Sequence, residues 1–179
     1  MLDARTFPDE IESAREILTN NHAVLKGEYQ IHDEIYVSKD STQWIDKIFL
    51  RLRSVPKNIW DEKPFIVSIK LTELKEIGKE SIIPIKKEFD TYEKAKEFIV
   101  NNYLDKFDFL YEFNRVGWQY DMTDDQIDLE IIEEQFYSIE YKSSGQESLK
   151  ALLQLFNAKD VIKGPSVVTL YNLLVKSAK

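Results

Sequence analysis

Ile48-Phe49-Leu50-Arg51-Leu52-Arg53 alternates residue by residue, which is the signature of a β-strand with two unlike faces. Ile48, Leu50 and Leu52 share one face, and Phe49, Arg51 and Arg53 share the other. Other segments repeat the pattern with different charges. In Phe65 to Thr72, Phe65, Val67 and Ile69 oppose Ile66, Ser68 and Lys70. In Ile83 to Phe89, Ile83, Ile85 and Phe89 oppose Lys86 and Glu88. In Phe136 to Lys142, Tyr137, Ile139 and Tyr141 oppose Ser138, Glu140 and Lys142. One sheet with an apolar face and a second face carrying both bases and acids predicts a polar hollow.

The composition bounds the possibilities. The 179 residues are 43% hydrophobic and 31% charged, with five Gly and five Pro. That is enough to bury one core, and a single domain over 1–179 is expected. The net charge of −8 disfavours nucleic acid or an anionic membrane as partner, since both demand a basic surface. Cysteine is absent and only His22 and His32 are present, which excludes thiolate chemistry and argues against histidine-built zinc sites and triads. No apolar run is long enough for a membrane span. A cytoplasmic protein is expected.

Along the chain, Leu2 to Thr6 can form a short strand, and Pro8 opens a helix with Ile11, Ala14, Ile17 and Leu18 inward. Tyr29 to Val37 is a strand. A charged loop from Glu73 to Glu80 precedes the Glu88 strand, and Asp90 or Thr91 then caps a helix. Phe107 to Tyr120 is one long aromatic strand or a strand with a bend near Gly117, and its Phe107, Phe109, Tyr111 and Phe113 belong to the core. Ile127, Leu129 and Ile131 alternate against Asp128 and Glu130. Two helical segments, broken at Gly164-Pro165, close the chain. About eight strands with few helices between them define an α+β fold, a closed or nearly closed antiparallel barrel with flanking helices.

The candidate chemistry lies in strand-borne charges: Arg51, Arg53, Lys70, Glu88, Arg115, Asp128 and Glu140. Enclosed arginines require carboxylates or an anionic ligand, and the guanidinium fork suits phosphate oxygens. Carboxylates among them could hold Mg²⁺ or Mn²⁺, which take oxygen ligands and bridge to polyphosphate. The alternative is an ordinary solvated sheet face.

The order of these motifs resembles the CYTH family, the triphosphate tunnel fold shared by class IV adenylyl cyclases, thiamine triphosphatases and inorganic triphosphatases. Glu34-Ile35-Tyr36-Val37-Ser38 is similar to its D-x-Y-F-D segment and Leu50-Arg51-Leu52-Arg53 to its L-R-x-R strand. Ile69-Lys70, Glu88 before a capped helix, Arg115, Asp128, Ile139-Glu140 and Tyr171-Asn172-Leu173-Leu174 follow in the family's order. The resemblance implies that Arg51, Arg53, Lys70 and Arg115 grip a triphosphate-bearing small molecule or inorganic polyphosphate. It implies that Glu88, Asp128 and Glu140 hold Mg²⁺ or Mn²⁺, and that Glu88 and Lys70 are catalytic if the phosphate is hydrolysed. ATP cyclisation, a non-catalytic phosphate-binding module and an interaction domain are the alternatives. The chain departs from the family at the N-terminal E-x-E-x-K strand, where it offers Met1, Asp3 and Arg5. The lysine of K-x-R falls on Phe113, and the first glutamate of the closing pair on Ser138.

Overall fold

Period-two alternation on the strands Ile48–Lys57, Phe65–Leu74, Asp125–Ile132 and Phe136–Ser143 has one outcome here: a sheet that rolls up with helices against its apolar outer face and its charges turned inward. A computed structural model describes residues 1–162 and 164–176; Lys163 and the end of the expected domain at 177–179 lie outside it. The strands are β1 (Leu2–Thr6), β2 (Val24–Ser38), β3 (Ile48–Lys57), β4 (Phe65–Leu74), β5 (Lys79–Phe89), β6 (Phe107–Met122), β7 (Asp125–Ile132) and β8 (Phe136–Ser143). Every neighbouring pair is antiparallel, in the ring order β1-β5-β4-β3-β2-β6-β7-β8. The ring closes between β1 and β5 through Leu2 opposite Glu80 and Asp3 opposite Lys79. The expected α+β barrel of eight strands is therefore present.

The helices cover the outside. Helix α1 (Glu12–Asn20) and α3 (Gln146–Leu155) pack Ile11, Ala14, Leu18, Leu149 and Leu152 onto Ala4, Ile127, Leu129, Ile139 and Tyr141. The first helix begins at Glu12 rather than Pro8. Glu10 takes the amide N–H groups of Glu12 and Ser13 at 2.6 and 3.1 Å, so its carboxylate satisfies the free donors of the first turn. Helix α2 (Tyr92–Tyr103) is capped by Thr91, whose hydroxyl accepts from the Lys94 amide. Its Ala95 and Ile99 cover Leu50, Leu52, Val67 and Ile69.

A polar clasp fastens α2 to the barrel. Glu34, turned outward on β2, accepts from the hydroxyls of Tyr36 and Tyr92 and from Lys96 at 3.0 Å. Burial works against its charge, but these donors hold its carboxyl below the usual range. Glu34→Gln is expected to cost about 1–3 kcal/mol, the worth of hydrogen bonds to a charged group. Calorimetry should show a melting temperature lower by roughly 2–12 °C, with anion binding unaltered because this face is outside the barrel.

The interior is layered. Beyond Arg53 and Arg115 it is filled by Tyr29, Ile31, Val55 and Ile66, against which Ile59 and Trp60 of the β3–β4 loop pack. A second apolar layer contains Ile35, Phe49, Tyr111 and Phe113, with Val167 and Leu170 of helix α4 (Ser166–Tyr171) seated on it. The Tyr111 hydroxyl donates to the Val167 carbonyl at 2.6 Å. A π-helical turn, Asn172–Lys176, follows α4. Strand β6 runs unbroken through Gly117, where a β-carbon would stand 2.2 Å from the ring of Tyr29. Glycine is required there by close approach, and of the two expected readings the one long strand is present.

Candidate anion-binding site

Between the two apolar layers lies a cavity of about 320 Å³. Strand register builds it. Asp33 stands opposite both Arg53 and Phe113, Ile35 opposite Arg51, and Arg51 opposite Ser68. Arg5 stands opposite Glu140, and Asp3 opposite Lys142 and Lys79. Directly opposed residues project to the same side of a sheet, so seven basic side chains line one space: Arg5, Arg51, Arg53, Lys70, Lys79, Arg115 and Lys142. Among the described residues three acids line it with them, Asp3, Asp33 and Glu140.

Most of these charges are paired. Asp33 receives Nε and Nη2 of Arg53 at 2.8 and 2.9 Å and Nη2 of Arg115 at 3.0 Å. Burial alone would push its proton affinity up, yet Arg53, Arg51 and Arg115 outweigh that and hold its carboxyl far below the usual range. Glu130 is contacted by Arg5, by Arg115 at 2.8 Å and by the Tyr29 hydroxyl at 2.8 Å. Glu140 is bound by Arg5 at 2.9 Å and Lys142 at 3.0 Å. Lys79 meets Asp3 at 2.7 Å, and Lys142 meets Asp128 at 2.5 Å.

Two bases stand apart. Lys70 has no ion pair or hydrogen bond among the described residues, and Arg51 reaches only the shared Asp33, at 3.8 Å. Burial, then Arg51 and Arg53, push the Lys70 ammonium well below its ordinary range. Burial and Arg53 likewise drive Arg51 down to about 9, with Asp33 opposing. A guanidinium keeps its proton in proteins, so this depression registers unmet demand for negative charge.

The structure thus brings Arg51, Arg53, Lys70, Arg115 and Glu140 together in the cavity. Asp128 sits directly opposite Glu140 on the same face, just outside the cavity lining. Glu88 corrects the expectation. It stands opposite Ile66 but is itself exposed, and its carboxylate accepts from the Lys63 amide and pairs with Lys86 at 3.3 Å. Glu88 therefore does not line the cavity with Lys70 and Glu140. Glu34 of the D-x-Y-F-D resemblance also lies outside, on the α2 clasp. The cavity residues that the alternation pattern does not single out are Asp3, Arg5, Asp33 and Lys79; Glu130, which shares the alternation of Asp128, is visible in it but is not among the candidate site residues.

The interior donor set does not suit the expected Mg²⁺ or Mn²⁺. Among the described residues no three acidic or histidine side chains converge on a point where an ion could sit, and each interior carboxylate already carries a lysine or arginine partner. Such hard cations need carboxylate oxygens free to coordinate.

No family model matches the chain, and no curated protein matches it in sequence. Solved structures do. A Pyrococcus horikoshii protein aligns with a TM-score of 0.70 at 18% identity, over 98% of each chain. A candidate adenylyl cyclase from Hippeastrum with a dominant triphosphatase activity gives 0.57 at 19% identity, over 87% of this chain and 84% of that one. A chain of the Schizosaccharomyces pombe Mediator head module gives 0.50 at 18%, over 97% and 94%. These neighbours are consistent with a CYTH-like fold, and at these identities the likeness extends to the fold alone. No helix among the described residues is long and apolar enough to cross a membrane.

Proposed function

We propose that the chain binds a triphosphate-bearing small molecule or inorganic polyphosphate inside the barrel, as a binding module. One observation carries this reading: Lys70 and Arg51 face the cavity without an anion of their own. Cations half-buried in a cavity and left in that state are costly, and phosphoryl oxygens are the acceptors that several forks and ammonium groups can share. The neighbour with triphosphatase activity supports the ligand class. Hydrolysis or cyclisation by a metal-dependent route receives no support from the paired carboxylates.

The test is a thermal-shift panel of phosphate, pyrophosphate, tripolyphosphate and ATP, each with and without Mg²⁺ or Mn²⁺. At a hundredfold excess over Kd a true ligand stabilises by about 2.7 kcal/mol, which for a chain of this size is a rise of roughly 5–11 °C. Tripolyphosphate is expected to produce it. A second reading, an interaction domain whose charges pair only with one another, is favoured by the internal pairing of Asp33 and Glu130 and by the Mediator likeness. It predicts no shift with any member of the panel.

A further inference from the structure

We infer that anion capture in this cavity is independent of divalent metal, because Arg5 occupies the place between two interior carboxylates, one buried and one half-buried, where a cation would sit. This rests on the reading of the cavity as a polyphosphate site. Arg5 is 2% exposed and Glu130 1%. The Arg5 guanidinium is shared three ways. Nη1 contacts Glu130 and donates to the Ser138 hydroxyl at 2.6 Å, and Nη2 meets Glu140 at 2.9 Å.

The strand register fixes that arrangement. Arg5 on β1 is directly opposite Glu140 on β8, and Ser138 is directly opposite Glu130 on β7. Two carboxylates on adjacent inward positions of β7 and β8 therefore converge on the head of one β1 side chain. A Mg²⁺ bridging Glu130 and Glu140 would have to displace Arg5 or stand against it. A guanidinium cannot relieve the clash by losing its proton, and in an enclosed interior two neighbouring cations repel more strongly than in bulk water. The remaining bases close the other routes. Arg115 shares Glu130, and Lys142 bridges Glu140 to Asp128.

The consequence for ligand binding follows from charge. Where a site of carboxylates recruits a metal to attract phosphate, this interior supplies fixed cations directly. Its ligand is the free oligophosphate anion. Mg²⁺ in solution, which binds tripolyphosphate and neutralises part of its charge, then competes with the protein.

Isothermal calorimetry of the intact chain with tripolyphosphate decides the matter. Binding in EDTA should be at least as tight as in excess Mg²⁺, and Mg²⁺ alone should move the wild-type melting temperature by less than about 1 °C. Binding seen only with Mg²⁺ would overturn this inference while leaving the polyphosphate reading intact. Binding under neither condition would overturn both. Arg5→Gln supplies the reciprocal arm: with the guanidinium gone, Mg²⁺ alone should raise the variant's melting temperature. A folded variant with no such response would remove Arg5 from its assigned role. Should the variant fail to fold, the wild-type comparison in EDTA still gives the answer.

Discussion

Asp33→Ala is expected to lower the melting temperature by roughly 6–20 °C, a loss of about 3–5 kcal/mol. Asp33 is 1% exposed and is the anion on which Arg53, Arg115 and, at longer range, Arg51 converge. Its removal leaves Arg53 with no carboxylate and three guanidinium groups repelling one another in an enclosed space. A single-domain protein holds only about 5–15 kcal/mol in reserve, so this one side chain carries a large share. Asp33→Asn should cost nearly as much, because the volume is kept and the charge is not. The folded carboxyl titrates far below its unfolded value, so its contribution is present above the unfolded pKa and lost only as pH falls toward the folded one. Saturating tripolyphosphate should restore part of the deficit by supplying the missing anion. A drop of less than about 2 °C on differential scanning calorimetry, well short of the buried-charge penalty, would mean that the arginines do not depend on Asp33.

How much of this arrangement the sequence discloses depends on what a two-residue period can encode. It encodes facing. Arg51 and Arg53, Lys70, Arg115 and Glu140 are all inward in the barrel, as their alternation with outward Leu50, Leu52, Ile69 and Ile139 requires. It does not encode height along the barrel. Glu88 stands directly across from Ile66, on the face of Ser68 and Lys70, but at the level of the apolar layer. Asp33 was hidden because its own-face neighbours, Tyr29, Ile31, Ile35 and Val37, are apolar, and a single acid in such a row attracts no pattern. Lys79 belonged to a charged run that reads as a loop; Gly78, with φ of +74°, turns the chain there, and Lys79 starts β5 as a buried residue. Bulges defeat periodicity altogether. The ladder between β2 and β6 shifts between Ile35/Tyr111 and Tyr36/Phe109, so Phe107 packs outward beneath α2 while Tyr111 and Phe113 point inward. Phe109, expected in the core, is exposed.

Lys70→Met should move stability and affinity in opposite directions. The ammonium lies in the cavity with Arg51 and Arg53 as its charged neighbours, and only Glu140 and Asp33 offset them from a distance. Methionine has a similar length and fills the space without the charge, so the variant should melt at the wild-type temperature or above it. Tripolyphosphate loses a charge-assisted contact worth about 1.5–3 kcal/mol, and its Kd should rise roughly 10–150-fold. A residue that improves the fold when deleted and weakens the ligand is retained for the ligand. Proton linkage gives an independent sign. Burial and the neighbouring guanidiniums depress the ammonium in the free protein, whereas a bound polyanion pulls it back toward its ordinary range. Binding should therefore take up protons at alkaline pH and weaken as pH rises, and Lys70→Met should lose part of that uptake. Calorimetry in buffers of different ionisation enthalpy measures the number of protons directly. Equal affinity and equal uptake in variant and wild type would remove Lys70 from the site, and a lower melting temperature would mean that its charge is compensated in the folded chain.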